Sequence, residues 1–229
     1  MKNLKLYLSM MLLLIVVSCK KKEEVTPEEE VTPKETKIDL TKYFITMEFP
    51  TQFTGGRTYN IPYLIVFDND EKATHYGFAS PGPEITSYKL EGDKISITIA
   101  NQNWIFTISN NQITAFSGIV NAPKSVKLHE VPATNQLVGK YSGMLQSRMV
   151  NTAFPFRYVL NQTQFGEEMI DDPTLDYVIN PVKNVFALSY IDSVKRYFLA
   201  IDGKLIVVRM KNGGTNAESY MYGTLTSDE

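Results

Sequence analysis

The side chains that could carry out catalysis or bind a metal are few in this chain. Only two histidines occur, His75 and His129, and neither is accompanied by further ligands at metal-binding spacing. A zinc site needs three or four suitable ligands, and a Ser-His-Asp triad would have to use one of these two histidines. We therefore interpret His75 as a structural residue of a strand and His129 as a surface-strand residue. The sequence predicts no catalytic residue, no metal site and no cofactor.

Carboxylates cluster in two places. Asp68-Asn69-Asp70-Glu71 follows an apolar run, but the glycine and distal glutamate of an EF-hand loop are absent, so a hairpin turn is favoured over a calcium site. The second cluster contains Glu167, Glu168, Asp171, Asp172 and Asp176. We interpret it as a solvated acidic loop. A cation site and a pair of glycosidase carboxylates, whose separation across a cleft the spacing does not give, are the alternatives.

The single cysteine, Cys19, closes an N-terminal segment in which two lysines precede the apolar run 12–17. This run is too short to cross about 30 Å of hydrocarbon. Val16-Val17-Ser18-Cys19 resembles the lipobox of bacterial lipoproteins. The resemblance implies that residues 1–18 are a removed signal peptide and that the Cys19 thiol receives a lipid. We expect an outer-membrane lipoprotein with no free thiol for a disulfide, a metal or nucleophilic catalysis.

Residues 19–39 have the composition of a flexible tether. They are rich in charge and proline, the unit Val-Thr-Pro occurs twice, and almost nothing apolar is available for burial. The basic and then acidic residues 20–24 resemble the surface-export signal of Bacteroidota lipoproteins. That resemblance implies the cell surface, with the periplasmic face of the outer membrane as the alternative.

Composition limits the partners. The net charge is −2 and becomes more negative once the signal lysines are removed, and no basic stripe is present. Nucleic acid is therefore not expected as a partner. A hydrophobic content of 43% with 13 tyrosines and 12 phenylalanines is enough to fill a sizeable core.

After the tether, apolar residues recur with a period of two, which is typical of strands. In residues 94–100, for example, Ile95, Ile97 and Ile99 share one face. Turn dipeptides separate the runs, among them Asn110-Asn111 and Asp202-Gly203, and such residues accept the positive φ angles of tight hairpins. Short strands at this spacing predict an all-β, antiparallel sandwich or barrel.

A weak internal repeat predicts two related modules, residues 40–132 and 133–229, each of about eight strands. The break falls at the polar, proline-containing link 131–136. The matched segments, first module against second, are Lys42-Tyr43 with Lys140-Tyr141, 62–64 with 156–159, Tyr88 with Tyr177, 104–106 with 197–199, and 112–114 with 204–206. Eight strands in about 90 residues favour small up-and-down barrels. One large sandwich or barrel is the alternative.

Leu137-Val138-Gly139-Lys140-Tyr141 resembles the opening strand of lipocalin-like barrels, where a glycine-x-aromatic triplet places an aromatic at the barrel floor. In that family a late-strand arginine packs over the aromatic. The resemblance therefore implies that Arg209 covers Tyr141, a structural contact that names no function.

Three late segments, 185–190, 196–201 and 204–210, are apolar on both faces. Packing between the two modules is the favoured explanation. A docking face for a partner, centred on residues such as Val208, or an enlarged interior are the alternatives.

The sequence as a whole predicts a lipid-anchored, non-enzymatic envelope lipoprotein that binds a small ligand or a protein partner through its β modules. A carrier needs a cavity of roughly 300 Å³ or more lined by aromatic residues. The alternatives are a structural or accessory subunit of an outer-membrane complex and a carbohydrate-acting enzyme that uses Glu168 and Asp171.

Overall fold

The computed structural model describes residues 38–77, 83–169, 174–214 and 216–228. Within them, sixteen strands form two antiparallel eight-stranded sheets in tandem, and each sheet curls into a nearly closed barrel. This confirms the predicted fold class. No helix in the described ranges is long and apolar enough to cross a membrane. The predicted signal peptide, Cys19 and nearly all of the predicted tether lie outside the described residues.

Barrel 1 contains the first eight strands: β1 (Tyr43–Gln52), β2 (Thr58–Phe67), β3 (Lys72–Tyr76), β4 (Glu84–Glu91), β5 (Lys94–Ile99), β6 (Gln102–Ser109), β7 (Gln112–Ser117) and β8 (Ser125–Glu130). Its interior is filled by the alternating apolar face, including all three β5 isoleucines. A 3₁₀ turn at Leu40–Lys42 precedes β1, and the buried Leu40 side chain joins this core.

Barrel 2 contains the other eight: β9 (Gly139–Ser147), β10 (Ala153–Leu160), β11 (Gln164–Glu168), β12 (Tyr177–Val178), β13 (Phe186–Ile191), β14 (Val194–Ile201), β15 (Lys204–Lys211) and β16 (Tyr220–Ser227). Its core is more aromatic and includes Phe156, Tyr158, Phe165 and Phe198.

Both barrels follow one up-and-down order, in which strands pair with their sequence neighbours except at one break, and the first strand pairs with the last. They differ in where the ladder is interrupted. In barrel 1 the break lies between β7 and β8, and in barrel 2 it lies between β12 and β13. The same meander is therefore opened at two different seams.

The predicted hairpin signals are confirmed. Asn110, Asn111 and Asp202 have φ values between 51° and 57°, and Gly203 has a φ of 70°. Because asparagine, aspartate and glycine tolerate this left-handed region, they form two-residue turns that match strand twist.

Packing between the two modules is the reason for the two-sided apolar strands. A third core lies between the barrels, where outward residues of barrel 1 meet outward residues of barrel 2. Barrel 1 contributes Phe44, Leu64 and Val66 to this core, and barrel 2 contributes Phe186, Tyr197, Leu199 and Val208. The interpretation of Val208 as part of a free docking face is wrong, because its side chain is 1% exposed.

The segments matched in the predicted repeat lie on equivalent strands of the two barrels. The fourth strands carry Tyr88 and Tyr177, and the sixth strands carry 104–106 and 197–199. On the sixth strands the residue match is shifted by one position. Trp104 belongs to the interior of barrel 1, whereas Tyr197 points away from the interior of barrel 2 into the core between the barrels.

Candidate functional site

A cavity of about 790 Å³ lies at the end of barrel 1 opposite Leu40. The last residues of β1, β3 and β5 meet there with the first residues of β4 and β6 and with the link between β7 and β8. Its principal lining side chains are Phe49, Tyr63, His75, Glu84, Gln102 and Trp104. The volume exceeds the roughly 300 Å³ at which ligand pockets begin.

The walls of this cavity are aromatic and packed against one another. Phe49 meets Tyr63 edge to face at 4.6 Å between ring centroids. The imidazole of His75 stacks on Tyr63 at 5.5 Å and meets the edge of Trp104 at 5.5 Å. Because each ring is held by another, the apolar surface facing the cavity is preorganised.

His75 is the unusual polar group of the site. It lies on β3, as predicted, but it faces the barrel interior and is 8% exposed. Neither ring nitrogen has a hydrogen-bond partner among the described residues, although buried polar atoms are normally paired. Burial lowers the pKa of His75 to about 4, against the opposing charge of Glu84. The imidazole is therefore neutral at pH 7 and offers one donor and one acceptor.

Glu84 and Gln102 join the strands around the cavity. Glu84 accepts the backbone N–H of Ala100 through Oε1 at 2.9 Å. The side-chain oxygen of Gln102 accepts both the indole N–H of Trp104 and the backbone N–H of Val120, each at 3.3 Å. These contacts hold one wall of the cavity together. Oε2 of Glu84 makes no hydrogen bond with the described part of the chain.

Gly118 lets the link between β7 and β8 approach the wall. Its φ is +80°, and a Cβ atom there would lie 1.9 Å from the carbonyl oxygen of Asn103. Only glycine fits this backbone position. The close approach brings Val120 and Asn121 to the cavity.

Barrel 2 contains a paired cluster of charges in its interior. Glu167 accepts two hydrogen bonds from Arg196, at 2.9 and 2.5 Å, one from Arg209 at 3.3 Å and one from Tyr158 at 2.9 Å. Burial would raise the pKa of Glu167, but the hydrogen bonds and charge of Arg196 and the charge of Arg209 lower it below 4.5. A general acid of a glycosidase needs the opposite shift.

The interpretation of Glu167 as part of a solvated loop is therefore wrong. Glu167 lies on the same face of β11 as the buried Phe165, so the strand directs it inward. Glu168, its neighbour, is exposed, and Asp176 is exposed and accepts the hydroxyl of Thr174. Asp171 and Asp172 lie outside the described residues.

The other acidic cluster closes the turn between β2 and β3, as predicted. Asp68 accepts the backbone N–H groups of Asp70 at 3.1 Å and of Lys72 at 2.9 Å. Such a local contact is an Asx turn. Among the described residues, no three histidine, cysteine or acidic side chains converge as a metal site requires.

Two further expectations are corrected. His129 is half-buried rather than on the surface, because it stacks on Phe44 at 5.0 Å and hydrogen-bonds the Thr46 hydroxyl at 2.8 Å. Arg209 does not cover Tyr141. Its guanidinium lies over Phe156, while the Tyr141 hydroxyl donates to the carbonyl of Gln136.

Sequence reasoning missed Glu84 and Trp104 as parts of the site. Glu84 lies opposite His75 in the register of β3 and β4, but the long link 77–83 between these strands gives no sequence signal for that register. Trp104 is the only tryptophan in the chain.

Comparisons with protein-family models, with curated proteins and with solved structures find no match to this chain.

Proposed function

We propose that this protein is a lipid-anchored envelope lipoprotein that binds a small ring-bearing ligand in the cavity of barrel 1. The observation that carries the proposal is the juxtaposition of aromatic walls with an unpaired, buried imidazole, His75. An unmade hydrogen bond costs free energy in the empty protein, and a ligand that makes it recovers that cost. The strands that suggested a protein-docking face are covered by barrel 1, so they do not support that alternative.

Ligand binding can be tested with N-phenyl-1-naphthylamine, an uncharged dye that accepts energy from tryptophan. We expect saturable binding at one site per chain, with energy transfer from Trp104. Ala122→Phe, at the cavity wall, should abolish binding by filling the space. Ala115→Phe, on the exposed outer face of β7, is the matched control and should bind normally. Binding that does not saturate, or that Ala122→Phe leaves unchanged in a folded protein, contradicts the proposal.

The anchor is tested separately through Cys19. In a host that matures lipoproteins, the native chain should incorporate an alkyne-labelled fatty acid and sediment with membranes, and Cys19→Ser should do neither. Equal labelling of the variant contradicts lipidation. Protease treatment of intact cells then distinguishes the cell surface from the periplasmic face.

A further inference from the structure

Charge in the cavity of barrel 1 has one sign. Among the described residues that line it, Glu84 is the only charged side chain, since His75 is neutral at pH 7. The amine of Lys195 reaches the wall from barrel 2, where it donates to the carbonyl of Gly77 at 3.4 Å, but the lysine does not line the cavity. The carboxylate of Glu84 therefore repels a negatively charged ligand and attracts a positively charged one.

Glu84 and His75 both line the cavity of barrel 1. They are register partners on β3 and β4, so adjacent strands bring them to the same place at the rim of the barrel. Oε1 of Glu84 accepts the backbone N–H of Ala100, which leaves Oε2 to accept a hydrogen bond from a ligand. One nitrogen of the neutral imidazole can also accept. An ammonium group carries several N–H donors and no acceptor, which matches a carboxylate beside an imidazole acceptor.

The rings complete the match. Tyr63 and Trp104 flank His75 and present aromatic surface to the cavity. Aromatic faces attract cations, most strongly when water is excluded. The neutral state of His75 matters as well, because a protonated imidazole would repel such a guest.

We propose that this cavity selects aryl-alkyl ammonium compounds, with the ammonium group between Glu84 and His75 and the aromatic ring against Tyr63 and Trp104. The proposal rests on the proposed ligand-binding function and specifies the class of ligand. Glu84 is then the residue that determines charge selectivity.

Three probes of similar size test it: 2-phenylethylammonium, 2-phenylethanol and 3-phenylpropanoate. Titrations are followed through the indole N–H resonance of Trp104 in ¹⁵N-correlated spectra, where the only tryptophan of the chain reports on the cavity wall. We expect the ammonium to bind about tenfold more tightly than the alcohol, the size of one cation–π or charge-assisted contact. The carboxylate should bind most weakly.

Glu84→Gln should remove this order and leave the three affinities within about twofold, while its amide oxygen still accepts from Ala100. Glu91→Gln, at the opposite end of the same strand and exposed, should retain the native order. Equal or tighter binding of the carboxylate overturns the proposal, as does an order that persists in Glu84→Gln. If the neutral dye binds but the ammonium has no advantage, the charge proposal fails alone. If neither the dye nor any of the three probes binds, the proposed function fails too.

Discussion

Barrel 1 and barrel 2 share one strand order but place polar groups in their interiors in opposite ways. Barrel 1 keeps a cavity in which His75 finds no hydrogen-bond partner in the part of the chain that the structure describes. Barrel 2 has a buried carboxylate, Glu167, that is bonded to two arginines and a tyrosine. In barrel 1 the imidazole of His75 can still form hydrogen bonds, whereas in barrel 2 the carboxylate of Glu167 is already bonded to side chains of the same barrel. One meander can therefore leave a polar side chain of its interior without a partner or pair it fully.

The seams explain part of this difference. In barrel 2, Arg196 of β14 reaches Glu167 of β11 across the break between β12 and β13. Its guanidinium also lies 5.5 Å from the ring centroid of Phe165 and 5.2 Å from that of Tyr177. Side chains thus close the seam where the ladder is missing. In barrel 1 the break lies between β7 and β8, and the link that joins these two strands forms a wall of the cavity. The interruption there therefore helps to shape the cavity.

The largest expected effect comes from breaking the charge cluster of barrel 2. Glu167→Gln leaves two guanidinium groups in the barrel interior without a carboxylate, which should reduce the free energy of unfolding by about 3–5 kcal/mol. Urea titration followed by circular dichroism measures this loss.

The adjacent exposed residue supplies the control. Glu168→Gln removes the same charge from the same strand and should stay within about 0.5 kcal/mol of the native protein. Equal effects of the two variants would mean that the cluster does not stabilise barrel 2. The contrast between the two interiors would then fail for barrel 2.

The interface between the barrels gives the next largest effect. Leu199 belongs to barrel 2, but its fully buried side chain packs in the core between the barrels. Leu199→Ala should cost about 3 kcal/mol. Because the contact is shared, we expect the urea midpoint reported by Trp104 fluorescence in barrel 1 to fall as well.

Val178→Ala serves as the control, since Val178 lies on β12 and is 65% exposed. An unchanged Trp104 midpoint in Leu199→Ala, alongside a lowered midpoint by circular dichroism, would show that the barrels unfold independently.

Acid should affect barrel 1 before barrel 2. The pKa of His75 is about 4 in the folded protein and 6.5 when unperturbed, so the unfolded chain binds more protons between these values. Stability therefore falls as the pH drops through this window, by about 2 kcal/mol at pH 5 relative to pH 8. The pKa of Glu167 is lowered from 4.5, so its contribution is present above pH 4.5 and is lost only below it.

His75→Phe should remove this acid sensitivity between pH 6.5 and 4 while preserving the ring contacts. Urea midpoints at pH 8 and pH 5 measure the change. His129→Phe is the comparison, since burial also lowers the pKa of His129. If His75→Phe keeps the full native loss at pH 5, the imidazole is not the group that titrates, and the contrast between the two interiors weakens.

Much of the fold was predictable because it depends on local patterns. The period-two runs identified strands such as β5, and positive-φ residues such as Asn110 and Asp202 identified hairpin turns. The repeat was correct at the level of strands, but at Trp104 and Tyr197 the match was shifted by one residue. A shift of one position reverses the face of a strand, so a repeat visible in element order does not determine which side chains face inward.

The surroundings of the polar side chains were harder to predict because they come from several strands. Glu167 and Glu168 are chemically identical neighbours, and only the alternation within β11 makes one buried and the other solvated. His129 and Arg209 were assigned plausible positions, but their partners, Phe44 and Phe156, come from strands that the barrel closure brings alongside.

The sequence by itself determined the all-β class, the two modules, the turns and the expectation of a lipid anchor at Cys19, because each depends on residues close together along the chain. Only the tertiary structure decided that one barrel keeps a cavity and that the other is closed by an ion pair. Those outcomes depend on which side chains meet across seams such as the one between β12 and β13. The unpaired imidazole of His75 and the fully hydrogen-bonded carboxylate of Glu167 both result from contacts between residues that are far apart in the sequence.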